Sequence, residues 1–272
     1  MNRVGVIGFP IEHSLSPVMH QAAFDALGMA DWQYDRMAIP PDVLGHSLKE
    51  LRNHGFIGVN VTVPHKEAVI QFVRADPLAQ MVGAINTIDF RENIGTNTDV
   101  AGFMDDLRAH DVAIHGERVV VLGAGGAARA VVYGLARAGA QVAVVNRSLE
   151  RAQALARTLL VPMQILSQQQ AYDWQPSLIV NCTPVGLHPE VDASPWLEVT
   201  PLPVGVTVYD TIYRPARTRL MQQVEGTGGR AINGMGMLAR QGAAAFKIWT
   251  GQEPPVEVML AALRSALREP GG

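Results

Sequence analysis

At 272 residues, with 48% hydrophobic and 17% charged side chains, the chain has the composition of an ordinary globular protein and is longer than a typical domain of about 150 residues, so two domains are expected. Lys and Arg number 22 against 25 Asp and Glu, and a net charge of −3 carries no signature of nucleic-acid or anionic-membrane binding. The single cysteine, Cys182, excludes an internal disulfide framework and a cysteine-rich zinc site, and no apolar run reaches the 18 or so residues of a membrane span.

Taken from the start, residues 4–7 read as a buried strand with no charged leader ahead of it, so the expected compartment is the cytoplasm. The loop that follows runs into a helix, with Ser16 suited to the N-cap, Pro17 to the first helical position and Gly28 to the far end. Ser14 and Ser16 admit two readings: turn and cap chemistry, or a small-carboxylate site in which two hydroxyls donate beside a helix N-terminus. Residues 32–39 then read as a strand, 42–53 as an amphipathic helix and 58–63 as another strand. In that last strand Asn60 and Thr62 share one face and Val59, Val61 and Val63 the other, so one side faces water or a ligand. Pro64 ends it. Lys66 stands at the start of an expected helix, 67–73, where a cation is disfavoured and its pKa would tend to fall. That placement suits a proton-transferring lysine, with a solvated lysine as the alternative.

Residues 83–87 and 95–99 each carry an Asn-Thr pair and flank a hairpin turn around 91–93. Asp99 reads as the N-cap of a helix over 100–110, with a further role beside it. Next comes Arg118-Val-Val-Val-Leu-Gly-Ala-Gly-Gly-Ala-Ala-Arg129, four apolar residues running into a glycine-rich turn, with Gly123, Gly125 and Ala128 at the G-x-G-x-x-G/A positions of a dinucleotide-binding turn. Gly123 permits the tight turn, Gly125 a close approach of pyrophosphate to backbone, and Ala128 a close helix–strand contact. A helix over 127–138 and a strand over 141–145 complete a βαβ unit. At its end Asn146-Arg147-Ser148 puts an arginine where an NAD site usually has an acid, so the expected cofactor is NADP, its 2′-phosphate on Arg147. Arg151 either flanks the same phosphate, if both arginines start a helix, or is a solvated surface residue. Strands at 163–166, 178–181 and 206–210 follow, with Cys182 read as a small buried hydrophobe. Two tail helices, 237–250 and 256–267, come after a Gly-Met-Gly passage read as a flexible hinge. The histidines show no metal-ligand clustering, and no metal is expected.

Together, Ser14-Leu-Ser-Pro17, Asn60-Val-Thr-Val-Pro-His-Lys66, Gly83-Ala-Ile-Asn-Thr87, Asn97-Thr-Asp99, the glycine turn, Asn146-Arg147, Tyr213-x-Pro-x-x-Thr218 and Met237-Leu-x-x-Gln-Gly242 resemble the shikimate dehydrogenase family over essentially the whole chain. The resemblance implies an α/β protein of two domains with a cleft between: a substrate domain from residues 1–100 plus 238–272, and an inserted Rossmann-type NADP domain over 101–237. It implies reversible reduction of 3-dehydroshikimate to shikimate by NADPH, with Lys66 and Asp99 as acid–base dyad. Ser14, Ser16 and Tyr213 would hold the substrate carboxylate, and Asn60, Thr62, Asn86, Asp99 and Gln241 its ring hydroxyls. For the cofactor it implies Gly123, Gly125, Gly126, Ala127 and Ala128 at the turn. Asn146, Arg147, Ser148 and Arg151 would surround the 2′-phosphate, and Thr183, Gly234 and Met237 would line the remainder.

The chain departs from the commonest family pattern in a few places. Ser148 replaces a frequent threonine and keeps a hydroxyl, Cys182 replaces a frequent alanine, and His65 reads as a neighbour of Lys66 without an acid–base role. Two alternatives stand beside this reading: a paralogue that also oxidises quinate or prefers NAD, and a non-catalytic NADP-binding sensor, against which the retention of both Lys66 and Asp99 argues. No nucleic-acid or membrane partner is expected, and monomer and homodimer both stay open.

Overall fold

The computed structural model describes residues 1–268. The chain divides into two compact units, Met1–Gly102 joined by the chain from Leu238 onward, and Phe103–Met237. In the first unit β1 (Asn2–Gly8), α1 (Ser16–Ala26), β2 (Trp32–Ala38), α2 (Leu44–Asn53) and β3 (Phe56–Val61) alternate, and β1 lies between β2 and β3, parallel to both. The apolar runs of β1 and β3 suit a sheet covered on both faces. Ile7, Leu48, Phe56, Val59, Val61 and Ile88 form the centre of the core between α2 and the sheet. After β3 come β4 (Arg74–Ala75), α3 (Pro77–Val82), the antiparallel hairpin of β5 (Thr87–Asp89) and β6 (Ile94–Thr96), and α4 (Asp99–Ala109). The hairpin pairs antiparallel to β3, so the sheet is mixed, in the order β2-β1-β3-β5-β6-β4.

The second unit holds β7 (Arg118–Leu122), α5 (Gly126–Arg137), β8 (Gln141–Val145), α6 (Leu149–Leu159), β9 (Gln164–Ile165), α7 (Gln168–Asp173), β10 (Leu178–Asn181), β11 (Thr207–Asp210), α8 (Arg219–Gly226) and β12 (Arg230–Asn233). All six strands run parallel in the order β12-β11-β10-β7-β8-β9. This is a doubly wound sheet whose order reverses at β7, so the ligand crevice of such a fold lies at the C-terminal ends of β7 and its neighbours.

Two helices close the chain, α9 (Met235–Thr250) and α10 (Val256–Ala266). From Leu238 on α9 belongs to the first unit, where Trp249 Nε1 donates to the Ile88 carbonyl at 3.0 Å. The indole sits on bare backbone there, because a Cβ on Gly58 would collide with it. α10 packs against α1.

Several local expectations give way. Ser16 is the first residue of α1 and caps nothing; Leu15 takes the cap position, and the Ser16 N–H donates instead to Ser14 Oγ at 3.3 Å. β3 covers 56–61 in place of 58–63. No α-helix follows Lys66, only a 3₁₀ turn at Ala68–Gln71, so the helix-dipole argument about that lysine does not apply. The Gly-Met-Gly passage is not a loop: Met235 and Gly236 lie inside α9. Its glycines serve close packing, since a Cβ on Gly234 would collide with the Thr211 carbonyl and one on Gly236 with the Asp106 carboxylate.

Candidate active site

Two backbone features of the first unit carry its chemical side chains to one place. The loop after β3 holds Lys66, and the Ile85 N–H bonds the Lys66 carbonyl at 2.7 Å, which ties this loop to the segment leading into β5. The hairpin returns the chain to Asp99 at the head of α4. Lys66 Nζ lies 2.6 Å from Asp99 Oδ2, with side-chain exposures of only 13% and 4%. Such a pair, removed from water, interacts more strongly than a surface ion pair.

Asn86 organises that pair. Its amide nitrogen donates to Asp99 Oδ1 at 2.8 Å, leaving Oδ2 to the lysine, and also to Thr98 Oγ1 at 2.9 Å and Gln241 Oε1 at 3.3 Å. The amide oxygen accepts from the Thr98 N–H at 2.7 Å. Asp99 is therefore not the cap it is expected to be: α4 begins at Asp99 itself, and Asn97 Oδ1 accepts the Val100 N–H at 3.3 Å. Asn60 joins the same cluster through Thr87 Oγ1, to which its amide donates at 3.1 Å. His65 is a buried neighbour whose Nε2 donates to the Ile39 carbonyl at 2.7 Å. Ser14 and Ser16 lie with their hydroxyls 3.3 Å apart, and Arg36 clamps their loop by donating to the Glu12 and Ser14 carbonyls, each at 2.7 Å. Thr62, half-buried, follows β3 directly, and its N–H bonds the Ile7 carbonyl at 2.9 Å.

Gln241 reaches Asn86 because α4 carries a glycine at the crossing with α9. A Cβ on Gly102 would stand 2.7 Å from the backbone nitrogen of Gln241, closer than such atoms ever approach. No expectation covers Gly102, although a glycine inside a helix of 100–110 is itself a signal, since it weakens the helix by about 1 kcal/mol and a close contact is one reason to keep it there.

In the second unit the turn after β7 has the expected form. Gly123 takes a φ of +109°, which favours glycine, and the bend lies against the end of β10, where a Cβ would meet the Cys182 carbonyl at 3.2 Å. Gly125 caps α5 with an ordinary φ of −93°, and a Cβ there would meet nothing within 4 Å. Neither conformation nor packing within the chain calls for glycine at that position. Gly126 and Ala127 open α5, and Ala128 is fully buried against the sheet. Beyond β8, Asn146 donates to the Ser148 carbonyl at 2.8 Å, and Ser148 caps α6 by accepting the Arg151 N–H at 3.3 Å. Arg147 precedes that cap and Arg151 lies in the first turn, so the two do not start one helix; both side chains are exposed. The Ser148 hydroxyl also donates to Glu150 Oε2 at 2.7 Å, which draws the exposed Glu150 carboxyl below its usual range.

Thr183 folds back on Asn181, donating from N and Oγ1 to Asn181 Oδ1 at 2.9 and 2.8 Å. Cys182 between them is half-buried, short of the full burial expected of it. Asn181 in turn donates to Asp210, a fully buried carboxylate that also accepts from the Ile212 N–H and the Thr218 hydroxyl. Loss of water around it outweighs these three donors and pushes its pKa up to about 6. Sequence reasoning misses Asp210, because an acid at a strand end carries no pattern of its own. Tyr213 and Gly234 belong to this unit, as does Met237, a buried residue of α9. Among the described residues no group of three or more His, Cys, Asp or Glu could hold a metal ion, and no helix is long and apolar enough to cross a membrane.

Comparison with known proteins extends over the whole chain. Family models match at residues 6–88 (shikimate dehydrogenase substrate binding domain), 107–179 (shikimate / quinate 5-dehydrogenase) and 234–264 (shikimate 5′-dehydrogenase C-terminal domain). The chain is 42% identical to the shikimate dehydrogenase (NADP(+)) of Methanocella arvoryzae, covering 98% of this chain and 100% of that one. It is also 42% identical to the protein of the same name from Symbiobacterium thermophilum, over 97% of this chain and 94% of the relative. The crystal structure of shikimate 5-dehydrogenase from Thermus thermophilus, in complex with NADP(H) and shikimate, superposes with a TM-score of 0.89 at 39% identity, covering 98% and 100% of the two chains.

Proposed function

The chain belongs to the shikimate dehydrogenase family, and from that premise we propose how its own residues divide the work of an NADP-dependent shikimate 5-dehydrogenase. NADPH, when bound, supplies the hydride that reduces the ketone of 3-dehydroshikimate; everything else falls to side chains. As the ketone is reduced, negative charge grows on its oxygen, and a proton must arrive there. Lys66 gives that proton from Nζ, and in the reverse direction takes it from the hydroxyl of shikimate. Asp99 holds the ammonium group in place, and Asn86 holds Asp99, so the donor is oriented before substrate binds.

The observation that carries this assignment is the near-buried 2.6 Å contact of Lys66 with Asp99. The surrounding side chains suit the substrate's other groups: the Ser14 and Ser16 hydroxyls its carboxylate, and Asn60, Thr62, Asn86, Asp99 and Gln241 its ring hydroxyls. Tyr213 is proposed as a further ligand of the carboxylate. For NADP, Gly125 supports the fit, because its missing side chain is explained by a ligand lying against the backbone and by nothing in the chain. Gly123, Gly126, Ala127 and Ala128 complete that turn; Arg147, flanked by Asn146, Ser148 and Arg151, would hold the 2′-phosphate; Thr183, Gly234 and Met237 would line the rest.

The direct test is initial-rate measurement at 340 nm with shikimate and with quinate, each with NADP and with NAD. Turnover confined to shikimate with NADP is the expected result. Comparable rates with quinate or NAD would indicate the broader paralogue, and binding without turnover a sensor.

A further inference from the structure

Asn60 has less freedom than an ordinary amide. Tyr34, a buried side chain on β2, donates its hydroxyl proton to Asn60 Oδ1 at 2.7 Å. The amide nitrogen donates to the Asn86 carbonyl at 3.3 Å and to Thr87 Oγ1 at 3.1 Å. A primary amide offers two N–H groups and two acceptor lone pairs. Three of these four positions are therefore committed, and the remaining one is a lone pair on Oδ1. Turning the amide over would set its oxygen against the Asn86 carbonyl, two acceptors face to face, so the observed orientation is the stable one.

The phenol that meets Oδ1 is itself held. His20 lies flat on the Tyr34 ring, with centroids 4.2 Å apart and 9° between the planes. Complete burial keeps that imidazole neutral by pushing its pKa down to about 3, so the stack carries no charge at any working pH. On its other side the same imidazole backs onto α9, where a Cβ on Gly242 would stand 3.2 Å from Nε2, one residue beyond Gln241.

We propose that Tyr34 is a positioning residue for shikimate binding: one hydrogen bond from its hydroxyl holds Asn60 so that the free lone pair on Oδ1 accepts from a substrate hydroxyl. The inference rests on the reading of Asn60 as a substrate ligand. Without the phenol oxygen, Oδ1 loses a buried partner and the amide is held only through its nitrogen, by two bonds longer than 3 Å.

A four-protein cycle tests it: wild type, Tyr34→Phe, Asn60→Ala and the double variant. KM and kcat for shikimate and KM for NADP are read well below each protein's own melting temperature. Tyr34→Phe is expected to raise the KM for shikimate about 3–10-fold, the range for one neutral hydrogen bond, with kcat changed less than about twofold and KM for NADP unmoved. Asn60→Ala should raise it at least as much, and the double variant no further, because a residue acting through Asn60 has nothing left to position. A purely structural role for Tyr34 would give additive effects and would overturn the proposal, as would an unchanged KM in Tyr34→Phe alongside a raised one in Asn60→Ala. An unchanged KM in Asn60→Ala would overturn the assignment of Asn60 itself.

Discussion

The two units build their sites by opposite means. In the first, Lys66, Asp99, Asn86, Thr98 and Gln241 are joined side chain to side chain, nearly all buried, each oriented by the next. In the second, the stretch from Gly123 to Ala128 offers backbone and a helix N-terminus, and Arg147 and Arg151 stand exposed beside it. A network of mutually fixed groups suits a step whose geometry must be exact to fractions of an ångström; an open cradle with exposed cations suits a large ligand that comes and goes. Changes in the first network should therefore act on turnover and on KM for shikimate, and changes around the second on cofactor affinity.

Lys66→Ala is the hardest test of that division. Removing a general acid–base group lowers kcat by about 10²–10⁴-fold. KM for NADP should stay near its wild-type value, and Asp99 keeps its bond from Asn86, so the fold should hold. Steady-state kinetics with a melting curve checks both, and turnover near wild type would remove Lys66 from the chemistry. Arg147→Ala is the counterpart in the other unit, with an expected rise of about 10–100-fold in KM for NADP, the worth of a charge-assisted phosphate bond, and little change with NAD or in kcat. Equal effects on both cofactors would sever Arg147 from the 2′-phosphate.

Gly102→Ala sharpens the comparison by acting on the first network without touching a polar group. The added methyl meets Gln241 backbone at 2.7 Å, so α9 has to move away from α4 and carries Gln241 from Asn86. Overpacking of this kind costs about 1–3 kcal/mol, against roughly 1 kcal/mol gained in helix propensity. KM for shikimate should rise roughly 10-fold with a modest fall in melting temperature. Wild-type values of both would mean that the crossing adjusts freely and that Gln241 does not depend on it.

These variants also mark what was legible in the sequence. The strand at 118–122, its glycine turn and the strand at 141–145 follow from short-range pattern, because a buried parallel strand reads as an apolar run and a tight turn requires glycine whatever surrounds it. The hairpin of 87–96 is legible for the same reason. Ser16 misleads because the cap position is set by where the loop enters α1, one residue earlier. The segment after Lys66 has helical composition, yet it runs only one 3₁₀ turn before the chain enters β4. Asp99 resembles a cap in sequence and is claimed by Lys66 and Asn86, partners 33 and 13 positions away. Gly102, Tyr34 and Asp210 meet Gln241, Asn60 and Asn181, each far off along the chain, and no local spacing announces those contacts. The family resemblance implies a set of ligands, but the groups that touch those residues emerge only from the contacts.

Asp210 gives the effect that depends on pH and leaves turnover aside. It ties the end of β10, through Asn181, to the N-cap of α8, through Thr218, and so braces the C-terminal edge of the second sheet. Burial raises its pKa from 3.8 to about 6, so between those values the folded protein binds a proton that the unfolded chain has released. Stability from this group is therefore fully present below about pH 4, falls as pH rises towards 6 and is flat above, by an amount on the order of 3 kcal/mol at most. Asp210→Asn, which cannot ionise, should lack that component: its stability relative to wild type should improve steadily from pH 4 to pH 6 and then level off. Urea unfolding of both proteins across that range isolates the difference, because every other titrating group cancels. Parallel curves would mean that the carboxylate titrates alike in the folded and unfolded chains, and that the three donors around it compensate in full for its lost water.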